Sequence, residues 1–149
     1  MESPQIRMRN QHEVVNLKLE EVIDDLKSDQ LDLDILDEIE QELKDHIFLE
    51  ETFIFPAVRE KGNLNLEISG METEHAAVWR LFMLIHEQAD SKNYSKIPKY
   101  LDEIRLILLD HNRREELVVY PLMDDRMMEN EKRPENWVCK KIKKYPNQK

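Results

Sequence analysis

The sequence predicts an all-α fold, an antiparallel up-down four-helix bundle followed by a basic C-terminal tail or short extra helix. Three observations predict it. Apolar residues recur at steps of three and four in four separate segments. No stretch alternates with period two for long enough to require a strand. Only two glycines occur among 149 residues, and the six prolines fall near the ends of the periodic segments, too few turn-formers for a sheet-rich fold. A chain of this length makes one core, with the bundle expected over residues 1–128 and the tail over 129–149.

The first helix is expected to open at Ser3-Pro4, an N-cap followed by proline in the first turn. Its apolar seam runs Met8, Val15, Leu19, Val22, Leu26, and His12 occupies the position between Met8 and Val15. The second begins near Asp32 or Asp34 and is expected to bury Leu36, Ile39, Leu43, Phe53 and Ala57, with His46 and Glu50 filling the gap before Phe53. A capping-box pattern, Ser69-x-x-Glu72, suggests the start of the third, which carries His75, Val78, Phe82 and Ile85. The fourth begins near Ser95 and runs Ile97, Leu101, Ile104, Leu108, His111, Glu115, Val118, Leu122. Pro56 and Pro121 come late in their helices, where proline should kink or end them. Trp137 and Ile142 are the residues expected to anchor the tail.

The formal net charge is −10, which argues against nucleic acid or an anionic membrane as the main partner, since phosphates would be repelled. The tail reverses the sign, with seven Lys/Arg against three Glu from residue 129 onward. Cys139 is alone, so no internal disulfide is expected, and MESPQIRMRNQHE at the start reads without the apolar core of a secretion signal, as no apolar run reads long enough to span a membrane. A cytoplasmic protein is expected.

The internal repeat carries the chemistry. HIFLEETFIFP from His46 to Pro56 and HNRREELVVYP from His111 to Pro121 share the pattern His-x3-Glu-Glu-x3-aromatic-Pro, 65 residues apart. His12 precedes His75 by a similar interval. Residues four apart share one helix face, roughly 40° and 6 Å from one another, so His46 projects with Glu50 and His111 with Glu115. The seam register points them inward, where unpaired imidazole and carboxylate would each cost several kcal/mol. A single His-x3-Glu is commonly a surface pair or a satisfied core histidine. Two matching copies, with His12 and His75 in corresponding places, favour a bound cation, and imidazole with carboxylate suits iron, zinc or manganese. Glu51 and Glu116 lie about 140° round the helix from the histidines, positions for bundle-surface groups or for partners of the ligands. Trp79 and Tyr120 either wall the pocket or pack as ordinary core.

With these residues in place, the chain resembles a hemerythrin-like (HHE cation-binding) domain. The resemblance rests on His12, His46/Glu50/Glu51, Glu74/His75 and His111/Glu115/Glu116, across roughly residues 8–125. It implies two iron ions in an oxo- or hydroxo-bridged centre within the bundle core. By position His12 and His46 would hold one iron, His75 and His111 the other, and Glu50 and Glu115 would bridge them. Reversible oxygen carriers of that family have a second histidine four residues after the helix-three histidine, and this chain has Trp79 there. His86, eleven residues and about 16 Å along a helix from His75, cannot replace it and reads as structural or solvent-facing. Glu72, one turn before His75, is the nearest candidate to complete the ligand set; water is the other. An open metal position is what binding or activating a small molecule requires. The expectation is therefore a protein that binds or reacts with oxygen, nitric oxide or peroxide, with possible oxidoreductase activity. Iron handling (storage, donation, iron-sulfur repair or iron sensing) is the alternative. A ferritin-like oxidase fits less well, because such bundles use Glu-x-x-His and only Glu72-x-x-His75 has that order. The buried His/Glu pairs argue against a metal-free interaction bundle.

Overall fold

The computed structural model describes residues 3–28, 30–62, 64–124 and 132–143, and among them the secondary structure is entirely helical. Ser3 caps the first helix as expected, its hydroxyl accepting from the Ile6 amide at 3.2 Å, and α1 spans Pro4–Leu26. Asp32 caps α2, Leu33–Leu49, by accepting from the Asp34 and Ile35 amides. A five-residue π turn, Glu50–Ile54, continues α2 into α3, Phe55–Lys61. The next helix, α4, runs Asn65–Asp90, so Ser69-x-x-Glu72 lies inside it rather than capping it. Ser69 spends its backbone oxygen on the Thr73 hydroxyl and its own hydroxyl on Lys141, one turn into an established helix. A 3₁₀ turn, Tyr94–Lys96, leads into α5, Ile97–Arg114, which continues through a second π turn, Glu115–Val119, and a 3₁₀ turn, Tyr120–Leu122. A four-residue helix, α6, spans Lys140–Lys143.

The two π turns are the structural meaning of the repeat. Each begins on a glutamate and ends before an aromatic-Pro pair, and in each the residue before proline donates its amide five residues back, Phe55 to Glu50 and Tyr120 to Glu115. Proline lacks the amide that an α-helix would require at its position and its ring crowds the carbonyl four residues earlier. The widened turn relieves both. Pro56 therefore does not end its helix, which runs on to Lys61, whereas the helix through Pro121 closes within a 3₁₀ turn.

The extra residue per turn shifts the inward face by one. Phe53 and Ala57, expected in the core, are half-buried, while Ile54 and Val58 are fully enclosed. The same correction holds in the second copy, where Val118 is 38% exposed and Val119 is 0% exposed. Heptad counting is valid up to each glutamate and off by one beyond it.

Helix α1 packs on α2 and α5, and α4 packs on α5 and on the short α6. Two apolar clusters bracket the level of the histidines. One, around Val15, Leu19, Leu36, Ile39, Leu43, Phe82, Leu101 and Ile104, fills one end. The other, around Met8, Ile54, Phe55, Val58, Ile68, Met71, Val119 and Tyr120, fills the other. A third patch joins Ile47, Ala76, Trp79 and Cys139 to Trp137, Val138 and Ile142, and seats the C-terminal segment on the body of the protein. Trp137 and Ile142 thus have the anchoring role expected of them. Among the described residues no helix is long and apolar enough to cross a membrane.

Candidate metal centre

All six residues singled out by the sequence, His12, His46, Glu50, His75, His111 and Glu115, are at most 5% exposed and converge between the two apolar clusters. They form two overlapping sets of possible ligand atoms. One comprises His12, His46, Glu50 and Glu115, the other Glu50, His75, His111 and Glu115, with the atoms of each set within 4.8 Å of one another. The glutamates belong to both. Glu50 divides its oxygens, Oε2 standing 3.3 Å from His46 Nε2 and Oε1 3.0 Å from His75 Nε2. Glu115 Oε1 stands 3.2 Å from both His12 Nε2 and His111 Nε2.

The two halves are related by the repeat. The His12 and His46 rings are 4.7 Å apart at 55°, and the His75 and His111 rings 4.9 Å apart at 53°. Each of these four histidines has an outer partner for its second nitrogen. His12 Nδ1 meets Glu116 at 3.1 Å, His46 Nδ1 meets Gln11 at 2.7 Å, His75 Nδ1 meets Glu51 at 2.7 Å, and His111 Nδ1 meets Glu74 at 2.9 Å. An Nδ1–H donated outward fixes each ring and leaves Nε2 facing the centre, the arrangement that metal-binding histidines use.

Electrostatics are unusual for a protein core. Burial by itself would depress the His75 and His111 imidazoles, but hydrogen bonds and charge from Glu50 and Glu51 lift the first to about 9, and Glu115 and Glu74 lift the second to about 10. Burial likewise opposes a charged His12, and Glu115, Glu50 and Glu116 outweigh it. Burial should raise the Glu50 carboxyl; the surrounding imidazoles, His46 foremost, instead hold it well below the usual range. So much opposed charge has collected in an enclosed space, where a cation can take the place of the extra protons. Glu115 Oε2 gives an independent sign: it is buried without a hydrogen-bond partner, an orphaned carboxylate oxygen that a cation would satisfy. The donor set, neutral imidazole with carboxylate oxygen, fits iron, zinc or manganese.

One other expectation is redirected. Glu72 is buried but lies outside both ligand sets; Arg59 holds it at 2.9 Å and Lys140 Nζ stands 3.6 Å away. A cationic partner has claimed it. Trp79 does not wall the site, for it faces Trp137 at 5.8 Å and the Lys44 ammonium at 4.6 Å. His86, 57% exposed at its side chain, pairs with Glu40 at 2.6 Å on the outside of the protein. Tyr120 is the residue whose place the sequence left open. It is fully buried, and its hydroxyl reaches into the set formed by His12, His46, Glu50 and Glu115.

Sequence reasoning missed Gln11 altogether and named Glu74 only as part of the family motif, with no partner given to it. A signal existed: each directly precedes the first histidine of its half, His12 or His75, and each serves the histidine of the other helix. Glu51 and Glu116, the second glutamates of the repeat, serve His75 and His12 in the same crosswise manner. Arg114 Nη2 and Arg9 Nε in turn hold Glu74 and Glu116.

Fold and site together define a class of all-helical proteins whose buried histidine–glutamate cluster can hold metal ions. The family description Hemerythrin HHE cation binding domain matches residues 3–123, and the chain belongs to that family. No curated protein and no solved structure matches it.

Proposed function

We propose that this chain is an antiparallel up-down four-helix bundle holding a di-iron centre that binds or reacts with a small oxidant: oxygen, peroxide or nitric oxide. His12 and His46 would hold one ion, His75 and His111 the other, and Glu50 and Glu115 would span the pair. Once bound, the ions supply Lewis acidity and electrons. The chain supplies the rest. Gln11, Glu51, Glu74 and Glu116 orient the imidazoles, and the clusters on either side keep bulk water away.

One observation carries the oxidant reading above iron handling. A cavity of about 10 Å³ touches all four histidines and Glu50, and its remaining walls include Val15, Leu43, Ile47 and Leu108. It is sized for one water-like molecule, and Val15, Leu43, Ile47 and Leu108 close it alongside the histidines and Glu50, a setting for a small guest beside the ions. An open groove of about 340 Å³ lies on the other side of Gln11, Val15 and His46 and offers a short way in.

Metal analysis, combined with absorption spectra of the iron-loaded protein before and after oxygen, peroxide or nitric oxide, tests the proposal. About two irons per chain and a spectral change with at least one of the three are expected. Bound iron with spectra indifferent to all three would overturn the oxidant reading in favour of iron handling, which transfer to a metal-free acceptor protein would then measure.

A further inference from the structure

The repeat places an aromatic residue at the same point in both halves, Phe55 in one copy and Tyr120 in the other. Each ring stacks on a histidine: Phe55 on His75 at 5.6 Å and 7°, Tyr120 on His12 at 5.5 Å and 23°. The two rings therefore take corresponding places, and the difference between them is one oxygen atom. That oxygen has four neighbours. Tyr120 Oη lies 3.0 Å from His12 Nε2, 3.2 Å from His46 Nε2, 2.8 Å from Glu50 Oε2 and 3.3 Å from Glu115 Oε1.

A phenol has one proton to donate and accepts few hydrogen bonds, so four polar atoms at this range exceed what hydrogen bonding needs. Coordination accounts for the number. Adjacent donors on a six-coordinate ion with bonds of about 2.1 Å stand about 3.0 Å apart. The four base atoms keep that spacing as well, with His12 Nε2 to His46 Nε2 at 3.0 Å, His12 Nε2 to Glu115 Oε1 at 3.2 Å and His46 Nε2 to Glu50 Oε2 at 3.3 Å. The hydroxyl caps this base as an apex would. The other half offers no equivalent, because Phe55 ends in carbon.

We propose that Tyr120 is a metal ligand, its oxygen completing the His12/His46 position and leaving the His75/His111 position as the one with room for an exogenous ligand. The inference rests on the dinuclear reading above. Ligation forms one metal–oxygen bond and breaks the phenolic O–H bond. The proton, now donated to Glu50 Oε2, leaves to solvent when the carboxylate is taken up by the metal. The two ions then differ in character, one closed by an anionic oxygen and the other open.

Loading the full chain with iron(III) should produce the visible charge-transfer band of an iron-bound phenolate, with tyrosine ring modes in the resonance Raman spectrum. Tyr120→Phe, which copies the Phe55 half, should abolish both and still bind two metals per chain. Zinc gives a second readout without redox chemistry. Zinc loading should raise the ultraviolet difference absorption of one tyrosinate in the native chain and none in Tyr120→Phe. Two metals bound with no tyrosinate signal in either experiment, or a signal that survives Tyr120→Phe, would overturn the tyrosine ligand alone. Failure of the native chain to bind two metals would overturn the dinuclear reading and this inference together.

Discussion

Glu51 accepts the His75 Nδ1–H at 2.7 Å through one carboxylate oxygen, and through the other it accepts the backbone N–H of Lys140 at 2.8 Å. One buried carboxylate thus ties an imidazole of the candidate site to the C-terminal segment. Its counterpart Glu116 holds His12 but is itself held by the side chain of Arg9, not by backbone. The two halves of the site are supported alike at the histidine and differently one bond further out.

Removing Glu51 should therefore have two effects. Glu51→Ala is expected to weaken metal binding roughly 10- to 100-fold, read by competitive titration with a chelator. It should also disturb the Trp137–Trp79 contact and so shift tryptophan fluorescence. Glu116→Ala should produce the first effect without the second, and an equal fluorescence shift in both variants would contradict the asymmetry.

Glu50→Ala and His111→Ala should each reduce bound metal from about two ions per chain to one or none, measured by elemental emission. Glu72→Ala is the control. Glu72 is equally buried but is paired with Arg59, so its loss should lower stability and leave the metal content intact. Native metal content in Glu50→Ala would refute the site assignment.

The metal-free protein should lose stability as the solution becomes alkaline. His75 and His111 titrate near 9 and 10 in the fold against an ordinary value of 6.5, so between those limits the folded state holds more protons than the unfolded chain. Their contribution is complete below about pH 6.5 and disappears as pH rises through 9–10. Glu50, shifted downward from 4.5, acts in the opposite sense and loses its contribution as pH falls below that value. Chemical denaturation of the metal-free chain should give a lower midpoint at pH 10 than at pH 6.5. Loading with metal at neutral pH should release protons, which a weakly buffered titration can count.

The one-residue shift after each π turn can be checked with two neighbouring valines. Val119→Ala removes two buried methyl groups and should cost about 1.5 kcal/mol at about 0.8 kcal/mol each. Val118→Ala lies on the exposed side and should cost less than about 0.5 kcal/mol. An uninterrupted α-helical phase would reverse the order.

These valines also show where sequence reading ends. His-x3-Glu was legible because four residues bring two side chains to one face whatever lies around them. Two aligned copies and two further histidines then identified the six converging residues. The phase beyond Glu50 and Glu115 was not legible, because nothing in the hydrophobic pattern announces a widened turn; only the matched spacing from glutamate to proline marks it. Outer partners were half visible. Glu51 and Glu116 could be placed beside the site, yet which histidine each serves depends on how separate helices face one another. Ser69-x-x-Glu72 misled because Asn65 starts α4 with no side-chain cap to mark it. Trp79 stayed open between two readings because its neighbours include Trp137, Val138 and Cys139, far along the chain.

Cys139 lies at 0% exposure between Trp79 and Ile47, and burial, with the charge of Glu51 nearby, pushes its thiol up to about 12. Such a sulfur is inert while covered, since the thiolate is the form that reacts. An alkylating reagent can label it only during moments when the last segment has lifted away from Ala76 and Trp79. The chain thus carries its own stopwatch: with its single native cysteine and no substitution, the speed of labelling in native buffer counts how often that flap detaches.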